Sequence, residues 1–234
     1  MNTDNVDNTT YILDTLVQKS IVKQETYLTA LESFITLKKV IKYLMENYRK
    51  QLKSATQKIP LDYIENGIFE AQMQVAGDMI IFNMHSNIFT FDEKHWIWEH
   101  EYVKQNELNA YCGVINVYNF LADSFKYSRL NDYGFLIARI FINREGHYFL
   151  EGNANFGSFN DNFGKQTIDM SSMREIVQSI IQYSMEIDLI APPLDTIQIV
   201  TVDQMVDKSN MSKIEIGKPL GFRSNAENSI QFKK

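Results

Sequence analysis

The sequence predicts an α+β fold: a mainly antiparallel sheet covered by helices, with an N-terminal helical segment that includes one long amphipathic helix. Three observations carry this. Apolar residues recur at helical spacing through residues 24–57, and after Pro60 the pattern changes to strict alternation. The strand-like runs that follow are joined by links too short for a crossover helix, which implies antiparallel pairing. Regular alternation of strand and helix, the mark of a doubly wound sheet, is missing.

Asn8, Thr9 and Thr10 are suited to cap a first helix carrying Ile12, Leu13, Leu16 and Val17 on one face. A longer helix is expected over 24–57. In it Tyr27, Phe34, Ile41 and Tyr48 recur every seven residues, joined by Ala30, Leu37 and Leu44. Leu31, Met45 and Leu52 widen the stripe, Lys39, Lys42, Arg49, Lys50 and Lys53 take the opposite side, and Pro60 closes the segment.

Phe69, Ala71, Met73 and Val75 alternate with Glu70, Gln72 and Gln74, one buried face against one wet face. Gly77-Asp78 reads as a turn, Met79–Met84 as the returning strand, and Ile88–Phe91 as another short strand. Residues 92–108 and 111–121 fit strand or helix. Trp96-Ile97-Trp98 favours strand, and the Asp92 cap with its charged followers favours helix. Phe135–Ile142, a turn at Asn143–Gly146 and His147–Glu151 form the clearest hairpin. A Gly-, Asn- and Phe-rich loop covers 152–167, with Phe156, Phe159 and Phe163 expected to pin it to the body. A second helix starts near Ser172, where Ser172-Met173-Arg174-Glu175 matches a capping box, buries Ile176, Val177, Ile180, Ile181 and Ile187, and stops at Pro192-Pro193. Thr196–Val202 reads as a late strand. The organisation is thus an N-terminal helical segment over 1–60, an α+β body over 61–206 and a polar C-terminal segment over 207–234.

Composition narrows the function classes. The chain has 234 residues, 44% hydrophobic and 12% aromatic, enough to build a real core. A single cysteine, Cys112, excludes an internal disulfide, and the acidic, polar N-terminus is unlike a secretory leader, so a cytoplasmic address is expected. The net charge of -6 is uneven: residues 1–17 hold three Asp and no base, while 18–60 hold nine Lys/Arg against three Glu. The acidic remainder disfavours broad contact with nucleic acid, and the basic helix keeps local contact open.

Motifs with chemistry are sparse. The 152–167 loop sits between strand and helix, where a phosphate cradle belongs, but Gly157 to Gly164 is too long for a P-loop and Thr167 falls one place late. His85, His95 and His100 lie near Asp92, Glu99 and Glu101, yet a five-residue gap between His95 and His100 suits neither a helix nor a strand as a metal pair. No Gly-x-Ser-x-Gly elbow occurs, and Cys112 sits in an apolar stretch as a small hydrophobe. Arg139 stands inside the most apolar strand, beside Ile137 and Phe141 if that strand is regular. A buried guanidinium there needs Glu151, Asp123 or Asp132 as partner, or else a bound anion.

These features fit a non-enzymatic intracellular binding or regulatory domain. Arg139, Asn155 and Lys165 are its ligand-binding candidates, and a homodimer through 24–57 its candidate assembly. Neither cofactor, metal nor membrane is indicated. One alternative is a nucleic-acid-associated protein using Lys39, Lys42, Arg49, Lys50 and Lys53. Another is an enzyme with a site near the 152–167 loop.

Overall fold

In the computed structural model, which describes residues 8–152, 156, 158–160, 163–190 and 221–224, the chain opens with a single 44-residue helix, α1 (Asn8–Gln51). The two helices expected from the sequence are therefore one. Neither glycine nor proline interrupts residues 8–51, so nothing breaks the hydrogen-bond ladder between the two apolar patterns. The helix tightens into a 3-10 turn at Leu52–Ser54, short of the expected end at residue 57.

From Val22 to Met45, α1 buries Ala30, Phe34, Leu37, Ile41 and Leu44 against the sheet. The seven-residue seam is thus occupied by this chain's own sheet. Upstream, the expected buried face is wrong: Ile12, Leu13, Leu16 and Val17 are 53–56% exposed, because no sheet lies beneath them. Lys39, Lys42, Arg49, Lys50 and Lys53 are all exposed.

Six strands follow as an antiparallel meander: β1 (Leu61–Glu65), β2 (Glu70–Val75), β3 (Asp78–Met84), β4 (Cys112–Leu121), β5 (Phe135–Asn143) and β6 (Tyr148–Gly152), hydrogen-bonded in chain order. The alternation in β2 is as read, with Ala71, Met73 and Val75 buried. The edge strand β1 was not anticipated. Ile88–Phe91 contributes only a single bridge, Phe89 to Cys112. Trp96–Glu99 is a 3-10 turn rather than a strand, followed by α2 (Glu101–Gln105) and a second 3-10 turn, Glu107–Ala110. The 111–121 stretch resolves to strand, with α3 (Ala122–Lys126) directly after it.

One face of the sheet, with Met73, Ile80, Phe82, Ile115, Ile140 and Leu150, packs on α1 and on α4 (Met170–Met185). Among the described residues the opposite face is covered at one end. There Ile97, Val103, Ala110 and Phe163 close over Val114, Phe141 and Phe149. Helix α4 is capped one turn earlier than expected. Asp169 accepts from the backbone N–H groups of Ser171 and Ser172, and Ser172 Oγ accepts from the Asp169 N–H, so the capping box is Asp169–Ser172. The helix ends at Met185, and Ile187, expected on its buried face, begins β7 (Ile187–Ile190), which pairs with β8 (Gly221–Ser224). The strand expected at 196–202, the Pro192-Pro193 stop and most of the polar segment over 207–234 lie outside the described residues.

Candidate functional site

The partly covered face of the sheet is where unusual side chains collect. Glu151 on β6 stands opposite Arg139 on β5 in the hairpin register, and the two form an ion pair. Arg139 also lies over the Phe141 ring, 5.4 Å from its centroid. The internal partner is among those expected, but the burial is not: the Arg139 side chain is 47% exposed. A register shift between Val117 and Tyr118 is the reason for part of this. Ile137 has no partner on β4 and joins the α1 side, leaving Arg139 beyond the edge of the cover that Phe141 enjoys. A pair this wet is worth about 1 kcal/mol or less. Arg139→Met is therefore expected to move the stability by no more than that, in place of the 3–5 kcal/mol loss typical of breaking a buried pair. Urea denaturation of both proteins checks it.

His95 completes the cluster. Its Nε2 lies 2.8 Å from Glu151 Oε1, and its ring stacks on Phe91 at 4.5 Å. The arrangement resembles a catalytic histidine backed by a carboxylate, but Nδ1 accepts the Ile97 N–H at 3.3 Å. With Nδ1 an acceptor, Nε2 carries the proton toward Glu151, and neither nitrogen is free to move a proton for a substrate. His95 is thus a clamp that ties the Trp96–Glu99 turn to the hairpin.

The next turn holds His100 differently. Its Nδ1 accepts from the Tyr102 N–H, so the neutral ring has its proton on Nε2. Tyr102 in turn fixes this turn to the sheet. Its hydroxyl donates to Glu145 Oε2 at 2.6 Å and accepts from Asn143 Nδ2 at 2.8 Å, and burial together with Glu145 pushes the phenol's pKa up. Burial and the Lys165 ammonium hold the His100 pKa below the usual 6.5.

Lys165 and Asn160 arrive from the loop after β6. Leu150 N–H, on the free edge of the sheet, donates to Asn160 Oδ1 at 3.0 Å, which leaves the Asn160 amide NH2 outward. Phe156 and Phe163 are buried and Phe159 is partly buried, so the aromatic residues of the loop pin it as the sequence suggests. Gly164 has φ +75°, and a Cβ there would stand 2.7 Å from the Tyr102 side chain. Only glycine lets the chain turn this close to Tyr102, and that turn delivers Lys165. Trp96, packed edge-on against Phe149 at 5.1 Å, forms the remaining wall. Together Trp96, His100, Asn160 and Lys165 line an open cleft of about 630 Å³.

The residues proposed from sequence thus separate. Lys165 lines the cleft, Arg139 is committed to Glu151 on the same sheet face, and Asn155 lies outside the described residues. Trp96, His100 and Asn160 were not selected as ligand-binding residues. Arg49 is committed to Asp62 and the Leu61 carbonyl, so the basic face of α1 keeps Lys39, Lys42, Lys50 and Lys53 without a carboxylate partner among the described residues. Cys112 is fully buried and its thiol pKa is pushed up. Among the described residues, no group of three or more His, Cys, Asp or Glu side chains is placed to hold a metal ion, and no helix is long and apolar enough to cross a membrane.

No family model, curated protein or solved structure matches the chain. The site's chemistry alone must carry the functional reading.

Proposed function

We propose that this protein is a binding domain whose cleft beside β6 takes an anionic ligand carrying a flat apolar group, such as an aryl carboxylate or aryl phosphate. The observation that carries the reading is the donor-only lining. Lys165 has no carboxylate partner among the described residues, His100 offers Nε2–H, and Asn160 offers its amide NH2. Trp96, 37% exposed, supplies an aromatic surface at the same place. An ammonium and two neutral donors around an aromatic wall match a charged oxyanion on a ring. Catalysis is disfavoured by the same geometry. Both histidines that face a carboxylate, His95 at Glu151 and His147 at Glu145, have their other ring nitrogen engaged by backbone, and the one thiol is buried and protonated.

The pH dependence follows from His100. Its pKa lies below 6.5 in the ligand-free protein, so the ring is neutral at pH 7. A bound anion offsets the repulsion from Lys165 and raises that pKa, so binding takes up a proton and tightens as the pH falls through the bound-state pKa toward the lower ligand-free one. Phenyl phosphate, benzoate and inorganic phosphate are the probes, read by thermal melts and by titration calorimetry in two buffers of different ionisation enthalpy. Phenyl phosphate is expected to raise the melting temperature most, and Lys165→Glu to remove the shift while leaving the ligand-free melting temperature unchanged. Absence of a shift with all three probes, or a shift that survives Lys165→Glu, rules the reading out.

A further inference from the structure

The outward face of α1 carries a second apolar pattern that the sheet does not use. Ile21, Leu28 and Ile35 recur every seven residues and are 49%, 52% and 44% exposed; Leu13 and Val17, each 56% exposed, extend the row toward the N-terminus. At 100° per residue these five fall on the side opposite Ala30, Leu37 and Leu44. The row is about 33 Å long at 1.5 Å per residue. Among residues 10–21 no side chain is buried. A helix end this exposed gains most from packing.

We infer that this face pairs with the same face of a second copy, with the two α1 helices antiparallel. Charge complementarity selects both the occupant and the direction. Residues 1–17 hold three Asp and no base, whereas the exposed bases Lys39 and Lys42 continue the outward face beyond Ile35. An antiparallel pair centred near residue 26 sets Val17 against Ile35 of the second copy and Asp14 beside the second copy's Lys39. A parallel pair sets acid on acid and base on base. Five large apolar side chains on this face, Leu13, Val17, Ile21, Leu28 and Ile35, are 44–56% exposed.

Sedimentation equilibrium of the full chain is expected to give twice 27.3 kDa. Ile21→Glu with Leu28→Glu is expected to weaken the dimer at least about 100-fold, since it buries two unpaired charges, with the ellipticity of the monomer retained. Asp14→Lys is expected to weaken it and Lys39→Asp, added to it, to restore it. Mixing Val17→Cys with Ile35→Cys protein is expected to give a disulfide-linked pair, while Val17→Cys alone does not cross-link. A monomer at every concentration overturns the inference, as does a dimer indifferent to Ile21→Glu with Leu28→Glu. A monomer that loses stability on that double substitution also overturns it, by showing that another part of the same chain covers the row.

Discussion

Phe34→Ala is expected to cost the fold about 3–5 kcal/mol. Phe34 is fully buried at the centre of the interface between α1 and the sheet. The loss has two physical parts: the transfer free energy of the ring, and the cavity that a rigid helix over a hydrogen-bonded sheet cannot collapse to fill. A third contribution is local. The Lys38 ammonium lies 5.2 Å from the Phe34 ring centroid and bonds to Glu65 and the Gly67 carbonyl, so removing the ring strips one side of a buried charge. Leu130→Ala is the control. Leu130 is 92% exposed, and its replacement is expected to change stability by no more than about 0.5 kcal/mol. Guanidinium denaturation of the three proteins, at a concentration that holds the association state fixed, reads the difference. A loss below about 1 kcal/mol for Phe34→Ala means that α1 is not docked on the sheet as described.

Gly113→Ala tests the same docking from the other side. Gly113 is buried on β4, and a Cβ built on it stands 2.5 Å from the Ala30 Cβ. Both atoms are rooted directly on backbone, one on a helix and one on a central strand, so no rotamer change relieves the clash. The helix must lift from the sheet, and the expected loss is about 1–3 kcal/mol, typical of overpacking a tight core. Ala30→Gly removes the opposing methyl. Alone it costs about 1 kcal/mol, the helix penalty of glycine. In the presence of Gly113→Ala it is expected to recover stability, with an interaction free energy of about 1–2 kcal/mol between the two sites. Simple additivity in the double-mutant cycle defeats the close approach.

The proposed cleft was partly legible from sequence. The strand–loop–helix context pointed to the 152–167 loop, and Lys165 in it does reach the cleft. Trp96 was read only as a sign of strand in a stretch that fitted strand or helix, and His100 was set aside as a metal ligand because a five-residue gap from His95 points nowhere useful on either. The chain forms a 3-10 turn and then a short helix there, each entered through a histidine whose Nδ1 accepts a backbone N–H. That capping role leaves no periodicity for a sequence reading to detect. Arg139 was misjudged for a different reason: an apolar strand shows that both faces are covered somewhere, not how far along the cover extends.

By itself the sequence determined those elements whose signal is local: the helix under the Phe34–Leu44 seam, the alternating β2, the hairpin around Asn143–Gly146 and the antiparallel order of the sheet. Periodicity and turn chemistry depend on neighbours within a few residues, so they survive without the fold. Only the tertiary structure decided what covers each face. It buried the seam of α1 under the sheet, left Leu13, Val17, Ile21, Leu28 and Ile35 outward, engaged both nitrogens of His95, and brought Trp96 and Lys165 to one cleft. Each of those outcomes depends on contacts between segments far apart in the chain. A pattern of apolar residues records that a face avoids water, and the same pattern results whether the partner is a sheet, a loop or a second copy.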